Sequence, residues 1–165
     1  MSIIYCDTYK NPPELLRDAS VVFGVFDGVH DGHRYEIDEA QSNKPVVAVT
    51  FNIDPDEIFV PNYKKLMTNE ERITTLDDLC DYVVVLDFDE VRDVAANDFL
   101  DDFFGSNTPA HIHVGENFNF GANKSGDTDV LKKWGEAHDM LVHVHKLLEK
   151  DGVPISSTLM RARLV

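Results

Sequence analysis

Short apolar runs alternate with helical patterns along this chain, and no other feature of the sequence constrains the fold as strongly. The apolar runs have the length and residue types of buried strands, and they span residues 20–26, 45–51, 82–86, 110–114 and 140–145. The segments that predict helices span residues 32–42, 69–79, 97–104, 127–138 and 156–165. Strands that alternate with helices form parallel βαβ units with right-handed crossovers. The sequence therefore predicts the α/β class, with a doubly wound parallel sheet.

Composition and charge exclude several classes of function. The 165 residues suffice for a single domain, 1–165, that buries its own core. The formal net charge is −15, and no cluster of lysine and arginine exceeds a pair, which argues against nucleic acid and anionic membranes as partners. No apolar stretch reaches the ~20 residues of a membrane span, and residues 1–10 carry no secretory pattern. We therefore expect a cytoplasmic protein with reduced thiols at Cys6 and Cys80.

The loop after the first long apolar run carries the first chemical signal. Gly24, Gly28 and Gly32 surround two histidines, His30 and His33, where a strand turns into a helix. Backbone N–H groups at a helix start carry partial positive charge, and glycine lets a phosphate approach the backbone closely. Each imidazole can also donate a hydrogen bond to a phosphoryl oxygen. The pattern predicts a phosphate site, with two surface histidines or a metal-binding pair as alternatives.

Several stretches of this sequence resemble the motifs of one enzyme family. GVFDGVHDGH at 24–33 resembles the first signature of the FAD synthetases, the adenylyltransferase module of the bacterial bifunctional riboflavin kinase/FMN adenylyltransferase, and its HxGH element occurs more widely in nucleotidyltransferases. The further matches follow in the family's order: TFNIDP at 50–55, KLMT at 65–68, VGENFNFG at 114–121 with GD at 126–127, and ISSTLMR at 155–161. Several ordered motifs are far more specific than one. The resemblance implies a Rossmann-like nucleotidyltransferase (HxGH) fold over residues 1–165.

The resemblance also implies a reaction and the residues that perform it. AMP is transferred from ATP to FMN by in-line attack of the FMN phosphate on the α-phosphate, giving FAD and pyrophosphate, with Mg²⁺ accompanying ATP. The implied catalytic residues are His30, His33 and Arg161. The implied nucleotide-binding residues are Gly24, Phe26, Asp27, Gly28, Gly32, Gly115, Ser156, Ser157 and Thr158, and the flavin-binding residues are Asn117, Phe118, Phe120 and Asp127. Asp27 is also a candidate Mg²⁺ ligand through water.

The residue types in two of these motifs suit such ligands on physical grounds. Phe118 and Phe120 can stack on a flat heterocycle while Asn117 reads its polar edge, although a phenylalanine pair that anchors a turn in the core is the alternative. Residues 156–158 offer hydroxyl groups at a predicted helix start, and Arg161 follows one turn later. That arrangement suits phosphate, with an ordinary helix cap as the alternative.

The sequence departs from the family pattern in three ways. Val25 stands where the family has asparagine, and Asp54 stands where it has histidine, so a donor is lost and a carboxylate is gained near the phosphates. The sequence ends four residues after Arg161 without a riboflavin kinase domain, so we expect a separate riboflavin kinase to supply FMN. The alternatives are a nucleotidyltransferase with a different phosphomonoester acceptor and a non-catalytic flavin- or nucleotide-binding module.

The remaining polar clusters predict no chemistry. His111 and His113, like His143 and His145, are two residues apart on predicted strands, so each pair faces one side of a sheet. No carboxylate or cysteine nearby in the sequence completes a metal site, and we expect structural or surface roles for these histidines. The acidic runs at 77–78, 87–90 and 101–102 are typical of solvated faces.

Overall fold

The computed structural model describes residues 2–146, 149–150 and 153–154. The strands are β1 (Ile3–Tyr5), β2 (Ser20–Phe23), β3 (Val46–Phe51), β4 (Tyr82–Leu86), β5 (His111–Gly115), β6 (Leu141–His145), β7 (Glu149–Lys150) and β8 (Val153–Pro154). The first six form one sheet in the order β1-β4-β3-β2-β5-β6, and every pairing in it is parallel. Strands β7 and β8 pair with each other in an antiparallel hairpin. The sheet confirms the predicted α/β class.

Helices cover both faces of the sheet. They are α1 (Asp31–Ala40), α2 (Asp56–Phe59), α3 (Asn69–Leu79), α4 (Phe88–Val91), α5 (Ala96–Phe104) and α6 (Thr128–His138). None of the helices within the described residues is long and apolar enough to cross a membrane. The segment 156–165, which predicts a helix, lies outside the described residues.

Alternate residues of the central strands face two different core layers. Phe23 of β2 packs in the layer that contains Leu100 of α5 and Leu131 of α6. The preceding Val22 packs in the opposite layer with Ile37 of α1. All six residues of β3 are buried, because both faces of the sheet are covered. The central strands are therefore continuously apolar, as expected in a parallel sheet between two helical layers.

Local capping signals determine the position of one helix. Helix α3 and strand β4 have the bounds that the sequence predicts. The Thr68 side chain accepts the N–H of Glu71, and the Glu71 carboxylate accepts the N–H of Thr68. This reciprocal pair satisfies two backbone donors at the start of the helix. A complete capping box therefore made this boundary readable from the sequence.

The structure differs from the sequence prediction in short elements and, by three residues, at the end of one strand. Strand β1 and helices α2 and α4 were not predicted, because each has only three or four residues. Strand β2 ends at Phe23 rather than at residue 26. Phe26 adopts a left-handed conformation, with φ of 62°, and such a residue cannot continue a strand. The chain thus leaves the sheet three residues early.

The strand order places a switch point in the middle of the sheet. Strand β2 lies between β3 and β5, and the chain fills one side of the sheet before it crosses to the other. Ligands in open parallel sheets bind outside the carboxyl ends of the strands at such a point. The loops that follow β2, β3 and β5 carry the family-like motifs at 24–33, 50–55 and 114–121.

Candidate active site

A cavity of about 840 Å³ lies at the carboxyl ends of β2, β3 and β5. Most of the described residues that the motifs point to line it: Gly24, Phe26, Asp27, His30, Gly32, His33, Gly115, Asn117, Phe118 and Phe120. Ser156, Ser157, Thr158 and Arg161 lie outside the described residues. The fold therefore gathers side chains from the first loop and from the loop after β5 around one space.

The two motif histidines form the cap of helix α1. Nδ1 of His30 accepts the backbone N–H of Gly32 at 3.1 Å and that of His33 at 3.4 Å. Nδ1 of His33 in turn accepts the N–H of His30 at 3.2 Å. The rings stack 3.7 Å apart with planes 14° from parallel. Because each Nδ1 is an acceptor, each neutral ring carries its proton on Nε2.

This cap corrects one expectation about the phosphate site. The N–H groups of Gly32 and His33 point to the His30 ring, so they are not the free helix-start donors that the sequence predicted. Burial and the neighbouring His30 ring hold the pKa of His33 well below 6.5, which keeps that imidazole neutral. The donor that His33 offers to a ligand is therefore a neutral Nε2–H group.

Two carboxyl groups lie together beside this histidine pair. The Tyr63 hydroxyl lies 2.6 Å from Asp54 Oδ2 and 3.2 Å from Asp27 Oδ2, so the two carboxyl groups share one hydroxyl donor. Asp27 also accepts the N–H of Leu66 at 3.1 Å. Burial raises the pKa of Asp54, and the nearby Asp27 charge adds to the rise. A divalent cation held with substrate phosphates would relieve the repulsion between these carboxylates, so this pair fits Mg²⁺.

Arg72 does not line the cavity but binds two residues that do, Val25 and Phe51, and the sequence patterns did not indicate it. Its side chain is 1% exposed, and it donates to the Val25 carbonyl at 3.0 Å, to Thr50 Oγ1 at 2.7 Å and to the Phe51 carbonyl at 2.8 Å. One guanidinium group thereby joins the chain just after β2 to the end of β3. It also lies within electrostatic range of Asp27 and Asp54. An arginine on a helix ordinarily faces solvent, so no local signal could have found this role.

Aromatic rings form another part of the cavity wall. The Phe118 ring lies 4.7 Å from the Phe23 ring and 5.7 Å from the Phe120 ring, which it faces nearly in parallel. Phe120 is buried in the core, whereas Phe118 is half-buried. The structure thus combines the two interpretations of this pair, because both rings anchor the loop and both line the cavity.

Two residues assigned to ligands by resemblance have structural roles. Asp127 is exposed, does not line the cavity, and caps α6 by accepting the N–H of Val130 at 2.9 Å. Gly28 does not line the cavity either and has φ of +82°, and a Cβ atom there would meet Leu66 Cδ1 at 2.5 Å. A tight turn therefore explains Gly28, and a helix cap explains Asp127.

The strand histidines form a ladder across β5 and β6. Nδ1 of His111 lies 2.8 Å from Nε2 of His143, and Nδ1 of His113 lies 2.8 Å from Nε2 of His145. Within the described residues, no group of three or more histidine, cysteine or acidic side chains is arranged to hold a metal ion. His145 also lines the cavity, and the structural or surface role expected for these histidines stays a prediction.

The fold and the cavity define the class of protein. A parallel α/β sheet with an HxGH histidine pair at the start of the helix after β2 is a nucleotidyltransferase-like architecture. A sequence model of the family described as FAD synthetase matches residues 13–159. The chain therefore belongs to the FAD synthetase family.

Individual relatives agree with this membership. The chain is 30% identical over 157 residues to the bifunctional riboflavin kinase/FMN adenylyltransferase of Pseudomonas fluorescens, covering 90% of this chain and 50% of that protein. It is 28% identical over 156 residues to the FAD synthetase of Listeria monocytogenes, covering 88% and 63%. The chain thus spans about half to two thirds of the length of these relatives.

Solved structures agree with the fold. A macrolide-efflux protein from Streptococcus pneumoniae matches with a TM-score of 0.79 at 25% identity, covering 98% of this chain and 55% of that one. Pantothenate synthetase from Thermus thermophilus matches with a TM-score of 0.63 at 15% identity, covering 95% and 67%. At that lower identity the likeness concerns the architecture alone.

Proposed function

We propose that this chain transfers AMP from ATP to FMN and releases FAD and pyrophosphate. The observation that carries the proposal is the stacked pair of His30 and His33 in the cavity beside Phe118. The imidazoles offer compact donors for phosphate, and the aromatic wall offers a face for a flavin ring. Membership in the FAD synthetase family supports the same substrates.

The reaction balances as a direct displacement. A phosphate oxygen of FMN forms a bond to the α-phosphorus of ATP, while the bond between that phosphorus and the β-phosphate oxygen breaks and pyrophosphate leaves. Nε2–H groups of His30 and His33 stabilise negative charge that grows on the phosphoryl oxygens. The cavity holds both substrates in line, which removes much of the entropic barrier. We assign Arg161 and the hydroxyls of Ser157 and Thr158, which lie outside the described residues, to the phosphates of ATP.

A cation would take part in neutralising charge at this site. Mg²⁺ bound with ATP would neutralise part of the triphosphate charge. Asp27 and Asp54 are the side chains that would hold it, either directly or through water, because they lie together on the Tyr63 hydroxyl. The neighbouring Arg72 charge balances these carboxylates within the protein.

The source of FMN is a further part of the proposal. The chain covers half of the Pseudomonas relative, whose name combines two activities. We assign adenylyl transfer alone to residues 1–165 and propose that a riboflavin kinase activity outside these residues supplies FMN. Incubation with ATP, Mg²⁺ and riboflavin should therefore yield neither FMN nor FAD, whereas FMN formed from riboflavin would overturn this part.

The direct test mixes the protein with ATP, Mg²⁺ and FMN and follows FAD and pyrophosphate by chromatography and a coupled assay. Equal amounts of the two products are expected. Transfer of AMP to another phosphomonoester but not to FMN would support a changed acceptor, which the presence of Val25 and Asp54 in the cavity wall favours as the second candidate. Calorimetric binding of FMN and ATP without any turnover would instead identify a binding module.

A further inference from the structure

A buried carboxyl group in the cavity wall has no part in the reaction described above. Glu36 lies on α1 almost one turn after His33, is 7% exposed and lines the same cavity. Gly115, at the end of β5, lies against it, because a Cβ atom on this glycine would be 3.2 Å from Glu36 Oε1. The missing side chain at Gly115 leaves the space in which the carboxyl group sits.

The protein itself does not satisfy this group. Within the part of the chain that the structure describes, no side-chain hydrogen bond or ion pair reaches Glu36. Burial raises the pKa of Glu36 to about 8, so the carboxyl group is mostly protonated at neutral pH. A protonated carboxyl presents an O–H donor and a carbonyl acceptor side by side. Because the group faces the cavity, a ligand that displaces water there must supply the matching acceptor and donor or lose binding free energy.

Adenine carries such a matching pair, and so does the pyrimidine edge of the flavin ring, where an N–H donor lies between two carbonyl acceptors, so the position of Glu36 must distinguish them. The amino group of adenine donates a hydrogen bond, and an adjacent ring nitrogen accepts one. The flavin ring is larger and suits the aromatic wall at Phe23, Phe118 and Phe120. Glu36 instead lies on the helix that begins at the histidine pair, where the triphosphate is expected. Of the two flat ligands, adenine is therefore the one that Glu36 fits.

We propose that Glu36 is a specificity residue that reads the amino group and the adjacent ring nitrogen of adenine in bound ATP. The inference rests on the proposed function, because it takes ATP as a substrate of this cavity. It assigns to this chain a side-chain contact with the base, in addition to the phosphate contacts of the histidine pair.

The test is a binding cycle that needs no turnover. Calorimetry measures the dissociation constants of a non-hydrolysable ATP analogue and of the matching analogue whose base is purine, which is adenine without the amino group. We expect the wild-type chain to bind the second about tenfold more weakly, the effect of one lost hydrogen bond in a buried site. Glu36→Ala should abolish this difference, and Glu36→Gln should keep it, because an amide also offers a donor and an acceptor.

Two further variants separate recognition from folding. Asp38→Ala on the exposed face of the same helix should keep the tenfold difference. Gly115→Ala leaves Glu36 in place but crowds its carboxyl group, and we expect it to reduce the difference. Thermal unfolding of each variant establishes that the compared proteins are folded.

The outcomes distinguish this inference from the proposed function. If Glu36→Ala keeps the full difference between the two analogues, or weakens FMN binding instead, the assignment to adenine is wrong even when FAD is formed. If no FAD forms but Glu36→Ala binds the two analogues equally, the assignment of Glu36 to adenine is supported and the proposed reaction is wrong.

Discussion

The His30 ring accepts backbone N–H groups through Nδ1, so the ring nitrogen that can donate to a phosphate is Nε2. The same side chain therefore fixes the start of α1 and contributes to the cavity. Histidine is an unusual helix cap, since serine, threonine, aspartate and asparagine are preferred. The donor that Nε2 can offer to a ligand therefore explains a histidine at this position better than its role as the cap of α1.

Replacing His30 by asparagine separates these two roles. Asparagine is a good helix cap and can accept the N–H of Gly32, but it provides no donor at the position of Nε2. We expect the melting temperature of His30→Asn to stay close to that of the wild type, while turnover to FAD falls at least about 100-fold. His30→Ala should lose both turnover and stability. Turnover of His30→Asn at the wild-type rate would remove His30 from the catalytic groups.

Acid should destabilise the protein through His113. Burial and the neighbouring His143, His145 and His111 rings lower the pKa of His113 from 6.5 to about 3. The unfolded chain therefore binds more protons than the folded chain between these values, and the stabilisation is complete above pH 6.5 and is lost as pH falls toward 3. Urea unfolding at a series of pH values measures the free energy of unfolding as a function of pH. Between neutral and mildly acidic pH, we expect this free energy to fall less in His113→Gln than in the wild type, by on the order of 2 kcal/mol. An equal loss of unfolding free energy in the two proteins would contradict the claim that His113 makes the protein sensitive to acid.

At the scale of elements, Arg72 joins α3 to the ends of two strands. Capping residues made α3 predictable because they are neighbours in the sequence. The burial of Arg72 was not predictable, because its acceptors at Val25 and Phe51 lie 47 and 21 residues away. A local pattern carries no information about which distant carbonyl groups the fold will bring to one side chain.

Removal of the Arg72 guanidinium should loosen the wall of the cavity. Arg72→Met leaves buried acceptors unsatisfied, and we expect a loss of about 3 kcal/mol in the free energy of unfolding. Arg72→Lys keeps the charge but cannot span the acceptors with a planar fork, so an intermediate loss is expected. Urea titration followed by tryptophan fluorescence measures both variants. An unchanged unfolding midpoint in Arg72→Met would show that these hydrogen bonds contribute nothing to stability.

For the molecule as a whole, the net charge of −15 opposes the approach of two anionic substrates. Salt screens charges that are more than about 8–10 Å apart, whereas donors inside the cavity act at contact distance. We expect kcat/KM for ATP and FMN to rise as ionic strength increases from low to physiological values at constant free Mg²⁺. A steady fall with salt would mean that local positive charge, rather than the overall field, governs substrate approach.

The parallel α/β architecture, the position of α3 and the loops that form the site could all be predicted from the order of the residues, because strand and helix patterns, caps and turn glycines act between neighbours in the chain. The folded arrangement was needed to find that His30 caps its helix through Nδ1, that Asp127 lies outside the cavity, and that Glu36 and Arg72 are buried. Burial and hydrogen-bond partners depend on groups that are distant in the chain, and the pKa of a side chain follows from those surroundings.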